Sequence, residues 1–174
     1  MAAYRSTKNP TPSYAELTEA ARKAHELLQQ HGIPHAICGG LAVVHYGYVR
    51  TTTDIDLLVD DRAFTHHGSI VAPKVPIASV DEIVVDLVSF TDDESLVREA
   101  LDAATSGATD GLPIVSLNML IYMKLRANRP KDLADLVELL KAGAVELQEA
   151  DAFVVAKCPQ FLARWRHAKD LSTQ

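Results

Sequence analysis

The sequence CGGLAVVHYGYVRTTTDIDLLV occupies residues 38–59 and carries the two features that decide the fold. The first is a pair of adjacent glycines, Gly39 and Gly40, and the second is a pair of aspartates, Asp54 and Asp56, separated by one isoleucine. Apolar residues on both sides of the aspartates predict a β-strand. Because successive side chains of a strand point to opposite faces, Asp54 and Asp56 should project from the same face.

Two carboxylates about 7 Å apart on one strand face are suited to binding divalent cations, which prefer hard oxygen ligands. An exposed acidic pair that binds no ligand is the competing interpretation of this pattern. The upstream glycines, Gly39 and Gly40, favour a ligand. Glycines at a turn between a strand and a helix let backbone N–H groups approach a phosphate, and the helix N-terminus that follows attracts anions.

A third carboxylate, Asp86, lies in the segment IVVDLVSF at residues 83–90, which is the most strongly β-prone run of the chain. A lone carboxylate buried among apolar side chains is costly unless it is paired or bound to a cation. We therefore expect Asp86 to lie beside Asp54 and Asp56 on the neighbouring strand.

The pattern of Gly39-Gly40, then Arg50, then Asp54-Ile55-Asp56 resembles the signature of the DNA polymerase β-type nucleotidyltransferase superfamily. The resemblance extends to small prokaryotic members, including those of toxin–antitoxin and abortive-infection systems. The run LNMLIYMKLRANRPKDLADLVELL, at residues 117–140, is similar to the carboxy-terminal motif of these proteins.

The resemblance implies a Mg²⁺-dependent nucleotidyltransferase that moves a nucleoside monophosphate from a nucleoside triphosphate to an acceptor hydroxyl on RNA, a protein or a small molecule. It implies two Mg²⁺ ions, with Mn²⁺ as an alternative, held by Asp54, Asp56 and Asp86. These three and Lys124 would form the catalytic set. By the same resemblance, the nucleotide-binding residues would be Gly39, Gly40, Arg50, Lys124 and Asp132.

Two further hypotheses stay open. One is a nucleotidyltransferase-fold protein without turnover, acting as a nucleotide sensor or as the partner of a small companion protein in a toxin–antitoxin pair. The other is an unrelated α+β binding domain whose acidic pair is incidental. For Lys124 and Asp132, the alternative to a role at the nucleotide is an ion pair between helices that also involves Arg129 or Asp135.

The predicted fold class is α+β, with a nucleotidyltransferase-like mixed β-sheet packed against helices. Residues 1–115 would form the core, and residues 116–174 a helical region packed on it as one compact unit. Capping boxes predict two helices, one opening at Ser13 and one opening at Thr91 that ends near Gly107. Residues 60–69 are expected to be a polar connector.

Composition narrows the class of protein. The 174 residues include 17 Lys plus Arg and 23 Asp plus Glu, which gives a net charge of −6. This charge argues against binding of nucleic acid through overall electrostatic attraction. The sequence contains no signal-peptide pattern and no apolar run of the roughly 20 residues that a bilayer crossing needs. Cys38 and Cys158 match no metal or redox spacing. We expect a soluble, cytoplasmic protein with no membrane partner.

Overall fold

The computed structural model describes residues 11–106 and 111–174. Within those ranges, seven α-helices and six β-strands follow one another along the chain. In order, they are α1 (Tyr14–Gln30), β1 (His35–Ile37), α2 (Gly39–His45), β2 (Asp54–Val59), β3 (Phe64–His67), β4 (Ile70–Pro73), β5 (Ser79–Val80), β6 (Ile83–Val88), α3 (Glu94–Ser106), α4 (Leu117–Ala127), α5 (Pro130–Lys141), α6 (Leu147–Lys157) and α7 (Leu162–Ser172).

The main sheet has four strands in the order β1-β2-β6-β5. Strands β2 and β6 are parallel, whereas β1 and β5 pair antiparallel to their neighbours. Helices pack on this sheet, and a separate two-stranded ribbon is formed by β3 and β4. The predicted α+β class, with a mixed sheet packed against helices, is confirmed.

The alternation of strand β2 decides which side of the sheet the aspartates face. Ile55 and Leu57 are fully buried in the apolar cluster that also contains helix α1. Leu58 points the other way, into the apolar cluster that contains residues of α2 to α7. Because side chains alternate along a strand, Asp54 and Asp56 share the side of Leu58 and face the carboxy-terminal helices.

The capping box at the start of α1 is confirmed. The backbone N–H of Ser13 donates to Glu16 Oε2 at 2.7 Å, and the Glu16 N–H donates back to Ser13 Oγ at 3.3 Å. The predicted capping box at Thr91 is wrong, because residues 91–93 form a short 3-10 turn and α3 begins only at Glu94. The carboxylates of Asp92 and Asp93, within this turn, pair with Arg126 of α4. The predicted end of this helix near Gly107 lies outside the described residues.

The predicted connector at residues 60–69 is also wrong in part, since it contains β3, which pairs antiparallel with β4. The sequence FTHH of β3 is half-buried to exposed and shows no apolar alternation, so its strand is specified by its partner rather than by its own pattern. In the part of the chain that the structure describes, no helix is both long and apolar enough to cross a bilayer. The division of the chain at residues 115 and 116 stays a prediction.

Candidate active site

The three predicted carboxylates come together. Side-chain oxygens of Asp54, Asp56 and Asp86 all lie within 4.8 Å of one another. The parallel register of β2 and β6 produces this arrangement, because it sets Asp56 directly opposite Asp86 and Asp54 opposite Val84. Residues in register on adjacent strands project from the same face of the sheet.

Asp86 is the most exposed of the three carboxylates, and Val84, two residues earlier on the same face, is 51% exposed. Asp54 and Asp56 are half-buried. The face of β6 around Asp86 is therefore open, and its carboxylate can be reached by a ligand from outside.

The two glycines let helix α2 begin directly against Asp56. A methyl group at Gly39 would overlap the Asp56 carboxylate, and a methyl group at Gly40 would overlap the Thr52 side chain. The Gly40 N–H lies 3.4 Å from Asp56 Oδ2 and donates to it. Glycine is needed here because the backbone and the side chains of β2 and its lead-in approach so closely.

Sequence reasoning missed Thr52. Its hydroxyl donates to Asp54 Oδ1 at 3.0 Å, and the residue is buried while it contacts the Gly40 position. The signal in the sequence is a run of three threonines directly before Asp54. A buried hydroxyl needs a hydrogen-bond partner, and Asp54 is the carboxylate nearest in sequence.

A second group of charges lies beside the carboxylates and is fully paired. Lys124 Nζ donates to Asp132 Oδ1 at 3.0 Å and to Asp135 Oδ2 at 2.6 Å, and all three side chains are buried. Arg129 Nε donates to Asp132 Oδ2 at 2.6 Å. Arg50 donates through a terminal nitrogen to Asp135 Oδ2 at 3.1 Å, while its Nε lies 2.7 Å from Asp135 Oδ1 without the alignment of a hydrogen bond.

These ion pairs fix the positions of the Lys124 and Arg129 side chains. Burial by itself would raise the pKa of Asp132, but hydrogen bonds from Arg129 and Lys124 hold it below its ordinary value. The ion pair between helices, which the sequence left as an alternative for Lys124, is therefore present. Lys124 and Asp132 also line the same cavity as the three carboxylates, so the pairing does not remove them from the site.

The three strand carboxylates differ from Asp132 in their electrostatic surroundings. Burial raises the pKa of Asp56, and the charges of Asp54 and Asp86 raise it further, against the opposing effects of the Gly40 N–H and Lys124. Among the described side chains, no basic group forms an ion pair with any of these three carboxylates. Three hard oxygen donors without an ion-pair partner among the described residues fit divalent cations well, and these are the residues that could hold them.

The site is an open cavity of about 560 Å³. All eight residues predicted for metal, nucleotide or catalysis line it: Gly39, Gly40, Arg50, Asp54, Asp56, Asp86, Lys124 and Asp132. The lining also includes residues that the sequence did not single out for this site, namely Cys38, Thr52, Val88, Phe90, Leu120, Met123, Arg126, Ala127, Arg129 and Lys131. The cavity thus combines an acidic strand face, a wall of basic side chains and an apolar region.

No protein-family model matches the sequence, and no curated protein matches it either. Among solved structures, the chain is similar to an antigenic nucleotidyltransferase-like protein from Paracoccidioides brasiliensis. The sequence identity is 21% and the TM-score is 0.45, with 88% of this chain and 94% of that chain covered. A likeness at that TM-score carries no conclusion about this chain, whose cavity chemistry depends on its own residues.

Proposed function

We propose that this chain is a divalent-cation-dependent nucleotidyltransferase, which moves a nucleoside monophosphate from a nucleoside triphosphate to an acceptor hydroxyl. The observation that carries the proposal is the set of three carboxylates from adjacent strands, Asp54, Asp56 and Asp86, which form no ion pair with a basic side chain in the described part of the chain and line an open cavity. They would hold two Mg²⁺ ions, with Mn²⁺ as an alternative, because both ions take carboxylate oxygens.

The charge layout of the cavity supports a polyphosphate as the ligand. When bound at the carboxylates, two such cations offset charge on the phosphoryl oxygens and lower the pKa of the attacking hydroxyl. The same cavity is lined by four basic side chains, those of Arg50, Lys124, Arg129 and Lys131. A nucleoside triphosphate, which is a polyanion that carries its own divalent cations, complements both groups of side chains.

Lys124 is the basic residue best placed to act on the phosphates. Its ammonium group has three N–H donors, and two of them are used by Asp132 and Asp135. These two carboxylates hold the group at the wall of the cavity and leave one donor for a phosphate oxygen. We assign Asp132 to positioning Lys124 and Arg129, because an ionised carboxylate in direct contact with a phosphate would be repelled.

Asp86 is assigned to the acceptor side. It is the exposed member of the three carboxylates, whereas Asp54 is held by Thr52 and Asp56 by Gly40. An incoming hydroxyl therefore reaches Asp86 from outside the protein. The two restrained carboxylates, on β2, would fix the position of the nucleotide.

The test is transfer of label from each of the four α-labelled nucleoside triphosphates, with Mg²⁺ or Mn²⁺, to total cellular RNA and to total protein. We expect transfer by the wild-type chain and none by Asp56→Asn. Asp81→Asn is the matched control, since Asp81 is an exposed partner of Lys23 outside the cavity. No transfer from any triphosphate to either acceptor pool by a folded wild-type chain would overturn the assignment as an enzyme.

A second candidate is a nucleotide-binding protein without turnover, such as a sensor or the partner of a companion protein. The observation that favours it is the internal pairing of Lys124 and Arg50, which partly neutralises the basic wall before any nucleotide arrives. Thermal stabilisation by a triphosphate with Mg²⁺, in the absence of label transfer, would support this candidate.

A further inference from the structure

An apolar wall begins where the carboxylates end. The cavity-facing side of the β6 segment continues from Asp86 to Val88 and then to Phe90, with about 7 Å for each step of two residues in extended chain. Helix α4 adds three more apolar side chains to the lining: Leu120, Met123 and Ala127. A ligand whose phosphates lie at the carboxylates would therefore place the chemical group next to its phosphates against this apolar surface.

A single guanidinium group is fixed on this wall. The Arg126 Cζ lies 4.7 Å from the centre of the Phe90 ring. One terminal nitrogen of Arg126 donates to Asp93 Oδ2 at 2.8 Å and to the Tyr122 hydroxyl at 3.0 Å, and the other donates to both carboxylate oxygens of Asp92 at 2.7 Å. The plane of the guanidinium group is therefore held rigidly, and its terminal donors are used within the protein.

These hydrogen bonds limit how Arg126 can contact a ligand. A bidentate phosphate contact would need the terminal N–H donors, and those of Arg126 are already used by two carboxylates, which also offset its charge. Arg126 nevertheless lines the cavity, and one face of its guanidinium group lies on Phe90. The opposite face is the surface left for contact, and a guanidinium plane is a stacking surface for nucleobases.

We propose that this wall is the nucleobase subsite, and that it stacks the base on Arg126 without reading the base edge, so that the site accepts all four nucleoside triphosphates. The inference rests on the proposed function, because the carboxylates must hold the phosphate end. Stacking is tolerant of sequence since every base has a π-face. Among the cavity-lining residues of β6, of the turn after it and of α4, the polar side chains are Asp86, Lys124 and Arg126, and both basic ones are paired.

The experiment compares the Mg²⁺ complexes of the four nucleoside triphosphates with that of inorganic tripolyphosphate, by calorimetric titration of the full chain. For the wild type we expect the four Kd values to agree within about threefold, since stacking differs little among bases. Arg126→Lys keeps the positive charge but removes the planar guanidinium group. It should weaken the binding of every nucleoside triphosphate by about tenfold. Its affinity for tripolyphosphate should stay unchanged. Arg98→Lys is the matched control, because Arg98 forms only an exposed pair with Glu94.

A second variant, Phe90→Leu, removes the aromatic ring on which the guanidinium group rests. It should weaken the binding of all four nucleoside triphosphates by a similar factor. Thermal unfolding verifies that each variant is folded. Tripolyphosphate binding combined with a preference of more than about tenfold for one base would overturn the inference, because such a preference requires a base-edge contact. Unchanged nucleotide affinity in folded Arg126→Lys and Phe90→Leu would also overturn it. Binding of neither tripolyphosphate nor any nucleotide would instead refute the proposed function, and this inference with it.

Discussion

Gly39 leaves the space that the Asp56 carboxylate occupies. The φ angle of Gly39 is +57°, and a side chain there would overlap Asp56 Oδ2. The start of helix α2 and a carboxylate of strand β2 are thus fitted to each other at the centre of the cavity. This fit makes the glycine turn part of the arrangement that we propose to bind metal, as well as a connection between β1 and α2.

Gly39→Ala should therefore reduce both stability and cation binding. Gly32→Ala is the matched control, since Gly32 has a φ of +65° and open space around its Cα. We expect the control to cost about 1 kcal/mol, from the left-handed backbone alone. Gly39→Ala should cost about 1–3 kcal/mol more, because it also displaces Asp56.

Chemical denaturation measures both costs, and Mg²⁺ titration should show weakened binding only for Gly39→Ala. Equal losses of stability in the two variants, with unchanged Mg²⁺ binding, would contradict the close fit between Gly39 and Asp56.

Asp56→Asn should stabilise the folded chain in the absence of divalent cations. Burial and the neighbouring charges of Asp54 and Asp86 raise the pKa of Asp56, so its ionised form is less favourable in the folded state than in the unfolded state. The penalty is fully present above the raised pKa and disappears as the pH falls below the ordinary pKa of an aspartate. The melting temperature of the variant in EDTA should thus exceed that of the wild type at pH 8 and approach it near pH 4.

The difference in melting temperature between Asp56→Asn and the wild type should change sign when Mg²⁺ is added at pH 8. The wild type should gain stability from binding, whereas Asp56→Asn should gain little. A variant that is less stable than the wild type in EDTA at pH 8 would mean that Asp56 has a stabilising partner.

Thr52→Val should impair transfer more than stability. Valine keeps the branched shape beside Gly40 but removes the donor to Asp54 Oδ1. Loss of such a supporting hydrogen bond typically lowers metal affinity or activity by about 10- to 100-fold. Thr52→Ser, which retains the hydroxyl, is the control and should keep most of the activity in the labelled-triphosphate assay. Equal activities for the two variants would rule out a positioning role for the hydroxyl.

Lys124→Met should be strongly destabilising, because Asp132 and Asp135 are buried and would each lose a hydrogen-bonded cation. Removing one partner from a buried ionic group costs about 3–5 kcal/mol. Lys157→Met is the control, as its pair with Glu99 is exposed and should contribute within about 1 kcal/mol.

The cost of Lys124→Met should depend on pH. The pKa of Asp132 is lowered in the folded state, so its ionic contribution is present above the ordinary pKa of an aspartate and is lost as the pH falls through the lowered one. Urea unfolding at pH 7 and near pH 3 should show a smaller difference between Lys124→Met and the wild type at the lower pH. A difference that does not change with pH would locate the effect of Lys124 in packing.

Local pattern was sufficient to predict several elements. The alternation around Asp54 and Asp56 placed both on one face of β2, and the Ser13–Glu16 capping box located the start of α1. Both are properties of neighbouring residues, since strand parity and helix capping act within a few positions of the chain. The soluble cytoplasmic state, the companion protein and the acceptor stay predictions.

What the sequence by itself determined was that Asp54, Asp56 and Asp86 lie on strands; the tertiary structure decided what surrounds them. The parallel register of β2 and β6 set Asp86 opposite Asp56, and the open face of β6 left Asp86 exposed. Long-range pairing also joined Asp92 and Asp93 to Arg126, 34 and 33 residues away, which local pattern did not predict. The physical reason is that charge compensation depends on which side chains meet in space, and residue spacing along one strand or helix does not specify that.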